Sequence, residues 1–163
     1  TSLEGIEIRR LISRDLPAFY GNVQELREIF FNLILNALQA VGPGGILQVG
    51  VTYQKADKVF VIQVSDSGPG IPAADIDKVF NPFYTTRPEG VGLGLFVTQQ
   101  IVHRYGGSIR VESAPGEGTL FVLELPTEAL RPSVTALASL ERLNLEKINQ
   151  PLSLNQEEGG GIL

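Results

Sequence analysis

The 163-residue chain has no cysteine, no methionine and no tryptophan, and one histidine, His103. Without cysteine, disulfides and thiolate chemistry are excluded, and a lone histidine argues against a zinc site. No stretch approaches the length of a membrane span. Thirteen Lys and Arg stand against eighteen Asp and Glu, a formal charge of −5. The basic residues form no cluster, which argues against a nucleic-acid-binding surface. The chain begins with Thr and lacks Met, so it is expected to be a piece of a longer protein, and no signal peptide can be read from it. What is present is enough apolar residue, 43%, for one domain of ordinary size with some excess.

Along the chain, "IEIRRLISRDLP" (6–17) reads as a strand ending before Pro17. A helix is expected from Val23 to Val41, with Asn22 as its N-cap and Glu25 completing a capping box. It should stop at "GPGG" (42–45). "ILQVGVTYQ" (46–54) and "KVFVIQVSD" (58–66) form a hairpin across the polar turn "KAD". A short helix begins near Pro72. "NPFYTTRPEGVGLG" (81–94) has no periodicity and reads as a long loop, a class that is usually functional or disordered. "LFVTQQIVHRYGG" (95–107) returns to helical spacing and closes on a glycine pair. "SIRVES" and "TLFVLELP" are strands joined by "APGEG". Past Pro126 the character changes: a domain over 1–126 is followed by an extension, 127–163. That extension holds an amphipathic helix from Val134 to Gln150 and then a disordered tail.

Three motifs carry chemistry. In "FFNLILNALQAV" (30–41), Asn32 and Asn36 stand four apart in an otherwise apolar run. At about 100° per residue, Leu26, Ile29, Phe30, Leu33, Ala37 and Ala40 make the apolar face. The two asparagines lie at its rim beside Glu25, Glu28 and Gln39. Paired amides one turn apart can offer oxygens to a hard cation such as Mg²⁺ or donors to phosphate. A hydrogen-bonded pair at a helix–loop junction would also explain them. "SDSGPGI" (65–71) ends a strand in a carboxylate able to accept from an exocyclic amine, with glycines that let a flat ring approach; it also has the chemistry of a bare turn. "GVGLGL" (90–95) precedes a helix, whose first N–H groups could hold phosphate. It matches neither the dinucleotide fingerprint nor a Walker A loop, and by itself it could be a flexible linker.

Order and spacing together carry more than each motif alone. Paired Asn on a helix, a strand ending in DxGxG, and a long loop ending in GxGLGL resemble the ATP-binding catalytic domain of bacterial sensor histidine kinases. That family falls within the superfamily of gyrase-type ATPases, heat-shock chaperones and mismatch-repair proteins. The resemblance spans about Ile6 to Pro126, and "NPFYTTRPEGVGLGL" looks most like the nitrogen-regulation type. It implies an α/β two-layer sandwich of the Bergerat type: a mixed, mostly antiparallel five-stranded sheet, helices on one face, the other face partly open.

The resemblance also implies roles. Asn36 would coordinate the Mg²⁺ that bridges the phosphates, and Asn32 would contact phosphate or a metal-bound water. Asp66 would accept from the adenine amine, Gly68 and Gly70 would shape the base pocket, and Ile71 would line it. Phe80 and Phe83 would form an aromatic box anchoring the lid. Gly90, Gly92 and Gly94, with Leu93 and Leu95, would form the hinge where lid meets phosphates. Thr119 would reach adenine through a water. Relatives often carry Lys and an aromatic where this chain has Gln39 and Ala40. Arg87, in the lid, is then the available cation and could stabilise the transferred group. His103 lacks the acidic neighbour of a phosphoacceptor and reads as structural or surface.

The function so implied is to bind Mg-ATP and present its γ-phosphoryl group to a histidine on a dimerisation domain of the same parent protein. The phosphate would then pass to a response-regulator receiver domain. ATP and ADP are the expected small-molecule partners; nucleic acid and membrane contact are not expected. The domain would be cytoplasmic even where the parent is membrane-anchored. Two alternatives remain at this stage: a hydrolase of the same superfamily, and a nucleotide-sensing module that transfers nothing. The hydrolases place a general-base Glu where this chain has Asn32.

Overall fold

The computed structural model describes residues 5–88 and 90–127. The expected extension, including the helix 134–150, lies outside the described residues. The elements in chain order are β1 (Glu7–Ile12), α1 (Val23–Ala40), β2 (Ile46–Gln54), β3 (Val59–Asp66), α2 (Ala73–Ile76), α3 (Gly94–Arg104), β4 (Ser108–Ala114) and β5 (Gly118–Pro126). The five strands form one sheet in the order β1-β2-β3-β5-β4. β1 runs parallel to β2, and every other pairing is antiparallel. α1 packs on β2 and β3, α3 on β4 and β5, and the two helices touch each other.

Strand periodicity decides which side the helices cover. On β3, Phe60, Ile62 and Val64 face the helices; on β5, Phe121, Leu123 and Leu125 do, and all are buried together with Ile29, Leu33, Ala37, Ile101 and Val102. Burying a side chain of this size is worth about 1.5–3 kcal/mol. The alternate residues build the opposite face, where Gln63, Arg110 and Glu112 are exposed. Arg110 there bridges Glu112 and Glu124 at 3.2 and 3.3 Å. That face is partly open, as expected.

β1 stops at Ile12, earlier than the run to Pro17 suggested: its pairing with β2 ends at Val51, while β2 itself continues to Gln54 against β3. The segment that follows is held by aromatic packing instead: Phe19 meets Phe60 edge-on at 5.5 Å and Tyr105 at 5.6 Å. The α1 cap also differs from a capping box. Asn22 Oδ1 accepts from the Gln24 N–H at 2.8 Å, but the Asn22 N–H donates to the Tyr105 hydroxyl at 2.7 Å. Glu25 turns to Arg104 of α3, 2.8 Å away. A buried phenol from another element therefore takes the place a box would give to Glu25. α1 ends at Ala40, one residue short of the expected end, and the extended backbone of its C-cap Val41 leads into Gly42–Pro43. α2 is only four residues long, following an extended Pro72.

Candidate nucleotide site

The site arises where the apolar rows of the sheet run out. Along the helix-facing side, Val64 pairs with Phe121 and Phe121 with Val111. One row further along, Asp66 pairs with Thr119 and Thr119 with Ser113. Each of three strands thus ends its inward alternation in a polar side chain, and period-two geometry sets the three side by side. Ser113 Oγ donates to the Gly118 carbonyl at 2.6 Å and lies 3.2 Å from Thr119 Oγ1. It also accepts the Ile71 N–H at 2.8 Å, which ties down the loop after β3. Gly70 is placed against the β4–β5 turn, where the Gly116 N–H donates to the Pro69 carbonyl at 2.8 Å. Asp66, Gly68, Gly70, Ile71 and Thr119 are therefore brought together as expected. Ser113 joins them unannounced, since only strand register reveals it.

Burial pushes the Asp66 carboxyl above its ordinary pKa, opposed by the backbone N–H groups of Gly68 and Thr119 and by the charge of Arg87. The Gly68 N–H donates to Asp66 Oδ1 at 2.8 Å. Gly68 cannot carry a side chain. A Cβ there would lie 2.7 Å from Asp66 Oδ1 and 2.9 Å from both Ala40 Cβ and the Ala40 carbonyl oxygen. The glycine lets the carboxylate stand against the last turn of α1, which brings the Asp66 row up to Asn36.

On α1, the two asparagines divide their labour. Asn32 Nδ2 donates to the Gly94 carbonyl at 3.1 Å and to Thr98 Oγ1 at 3.3 Å. Both amide hydrogens are spent in pinning α1 to the start of α3. Only Oδ1 remains, so Asn32 can serve a donor such as water but has nothing to offer a phosphate oxygen. Asn36 is half-buried, and its side-chain amide has no hydrogen-bond partner among the described residues. Its backbone carbonyl accepts from Arg87 Nη2 at 3.2 Å, while Arg87 Nη1 donates to Gln39 Oε1. Burial lowers the Arg87 pKa and the charge of Asp66 raises it, so the guanidinium that bonds to the Asn36 backbone also lies within electrostatic reach of Asp66.

The long loop is organised around that corner. Thr85 Oγ1 accepts the Arg87 N–H at 3.1 Å, and the Gly90 N–H donates to the Arg87 carbonyl at 3.1 Å. Gly92 closes the loop: its carbonyl accepts from the Phe83 N–H at 2.9 Å. Its φ is +71°, and a Cβ would sit 2.5 Å from the Phe83 carbonyl carbon, so only glycine fits. Leu93 caps α3 by accepting from the Val97 N–H at 2.9 Å, Gly94 lies against Asn32, and Leu95 packs on the core.

The expected aromatic box is not assembled. Phe80 packs edge-on against Phe121 at 6.4 Å, but Phe83 is 71% exposed. Its φ of +66° and the bond to Gly92 turn the side chain outward. His103 is exposed in the last turn of α3, away from this cluster, as expected. A groove of about 430 Å³ lined by Glu25, Glu28, Val97 and Arg104 also lies elsewhere, roughly three turns along α1 from Asn36. Among the described residues, no group of three or more His, Cys, Asp or Glu could hold a metal by itself. Asn36 offers the oxygen of a side-chain amide that has no partner among the described residues, which suits Mg²⁺ because that ion takes few protein ligands and fills the rest with phosphates and water. No helix among the described residues is long and apolar enough to cross a membrane.

Known proteins resemble this chain in sequence and in fold. Sensor histidine kinase ZraS of Escherichia coli K12 is 40% identical over 126 residues, 77% of this chain and 27% of its own length. Signal transduction histidine-protein kinase AtoS of the same strain is 36% identical over 115 residues, 71% of this chain and 19% of its own. The chain spans about a quarter of the length of the ZraS relatives it matches. Among solved structures, the mycobacterial sensor histidine kinase MprB superposes with a TM-score of 0.66 at 31% identity, covering 75% of this chain and 82% of that one. The catalytic domain of histidine kinase ThkA gives a TM-score of 0.68 at 27% identity, covering 76% and 81%. A model of the family described as histidine kinase-, DNA gyrase B- and HSP90-like ATPase matches residues 21–129. With two thirds of its length matched by that model and a relative 40% identical over 77% of it, the chain belongs to this ATPase family.

Proposed function

We propose that the chain is the ATP-binding catalytic domain of a sensor histidine kinase. It binds Mg-ATP, with the adenine amine donating to Asp66 and Thr119 reaching the ring through water. Asn36 and Arg87 face the phosphates. The γ-phosphoryl group passes to a histidine nitrogen on a dimerisation domain of the same parent protein: the new N–P bond forms as the bond to the β,γ-bridging oxygen breaks, and ADP leaves. A response-regulator receiver domain then accepts the phosphate. A bound Mg²⁺ would supply charge neutralisation at the phosphates.

The observation that carries this reading is Asn32. A hydrolase needs a base for water at that position. Asn32 is an amide with no proton affinity at neutral pH, and both its hydrogens already hold α3. What the site offers is positioning and charge, the requirements of phosphoryl transfer to an external acceptor. The names of the relatives point the same way. The likeness to the nitrogen-regulation type stays a likeness of the one segment 81–95.

The test uses radiolabelled ATP with the chain alone and then with the helical domain of its parent protein. Label should appear on the added domain only. Label on this chain that vanishes in His103→Gln, or rapid phosphate release without an acceptor, would refute the reading.

A further inference from the structure

Arg87 is the one residue of the exposed turn Thr85–Gly90 that is drawn inward among those described; Thr85, Thr86, Pro88 and Gly90 are all exposed. What draws it in is the last turn of α1. One guanidinium nitrogen donates to Gln39 Oε1 and another to the Asn36 carbonyl at 3.2 Å. That helix end has no basic residue of its own, although its carbonyl dipoles favour a cation there.

We propose that Gln39 is a positioning residue for Arg87. From α1 it fixes the lid guanidinium beside Asn36, so that the two residues together place a cation at the phosphates that the helix by itself does not provide. This rests on the reading of the corner as an ATP site. The chemistry of the glutamine explains why it suits the task. A neutral acceptor orients the guanidinium without cancelling its charge, and two of the five N–H donors are used, leaving the others for a phosphate. Glutamate at 39 would hold Arg87 more firmly but set an anion beside the phosphates. Lysine would repel Arg87 and open the turn.

The experiment compares the parent chain, Gln39→Ala, Arg87→Ala, the double variant and Gln39→Glu. Mg-ATP affinity is measured by calorimetry, and amide exchange at residues 85–90 is followed without nucleotide. Gln39 is exposed, so the substitutions at 39 alone should leave the melting temperature unaltered. Gln39→Ala should weaken Mg-ATP binding about fivefold, the scale of an ordinary net hydrogen bond, because solvent access at Gln39 screens the charge. The double variant should bind no more weakly than Arg87→Ala, because Gln39 acts only through Arg87. Exchange at 85–90 should speed up in Gln39→Ala and stay slow in Gln39→Glu, while Gln39→Glu still binds Mg-ATP more weakly than the parent. Unchanged affinity in Gln39→Ala, or additive losses in the double variant, would overturn the inference and leave the ATP site standing. A parent chain that bound no Mg-ATP would overturn both.

Discussion

Replacing Asp66 by Asn separates what this carboxylate does for the nucleotide from what it does for the fold. The side chain is half-buried, and two backbone N–H groups, those of Gly68 and Thr119, already point at it. On the proposed reading, its remaining acceptor capacity goes to the adenine amine in the nucleotide complex. An amide keeps one acceptor oxygen for Gly68 and turns an NH₂ group towards the ring, setting donor against donor. The loss is that of a charge-assisted hydrogen bond, on the order of 1.5–3 kcal/mol. At 1.4 kcal/mol per decade this is roughly a 10- to 150-fold weaker Kd for Mg-ATP. The fold should respond differently. Burial raises the carboxyl pKa in the folded state. The native protein therefore holds the proton more tightly than the unfolded chain does. Stability from this group is greatest below the unfolded-state pKa and declines as pH climbs through the raised folded-state value. At neutral pH the ionised carboxylate is thus a net cost to the empty protein, and Asp66→Asn should melt at the same temperature as the parent or higher. Calorimetry with Mg-ATP and thermal denaturation without it measure the two effects. An unchanged Kd, or a weakened Kd accompanied by an equally lowered melting temperature, would refute the reasoning. The parent's ATP affinity should also fall on acidification, starting above the pH at which an ordinary carboxylate titrates.

Two other expectations follow from particular contacts. Asn36→Ala should impair Mg-dependent phosphotransfer to the parent's helical domain more than it impairs binding of ADP without metal, because on the proposed reading the amide oxygen acts at the phosphates; transfer at the parent rate would remove Asn36 from the site. Tyr105→Phe should cost about 1 kcal/mol in urea denaturation by leaving the Asn22 N–H without the phenol. The ring still packs on Phe19, and the cap lies roughly 20 Å along α1 from Asn36, so Mg-ATP affinity should not change; a loss of affinity there would show that the α1 cap and the site are coupled.

Much of this was legible in the sequence, because its signals are local. Asn22 before an apolar 3.6-period run, "GPGG" after it and the alternation of β2, β3 and β5 depend on neighbours a few residues apart. They placed α1 and those strands to within about a residue of the structure. The glycines followed from the same local logic, since Gly92 needs a positive φ whatever surrounds it. Motif order singled out Asp66 and Asn36 as candidates, although the residues alone left a turn and a plain Asn pair as equally good accounts. Tertiary structure decided what depends on residues distant in sequence. The capping box gave way to Tyr105, 83 positions away. Phe83 points outward because Gly92 claims its N–H, and Ser113 enters the site only through its register with Thr119. Asn32 is held by Gly94 and Thr98, and Arg87 is caught by Gln39, 48 positions back along the chain. A single sequence states which side chains can donate or accept; which partner each one meets is set by strand register and helix packing, and that is where the chemistry of this site was chosen.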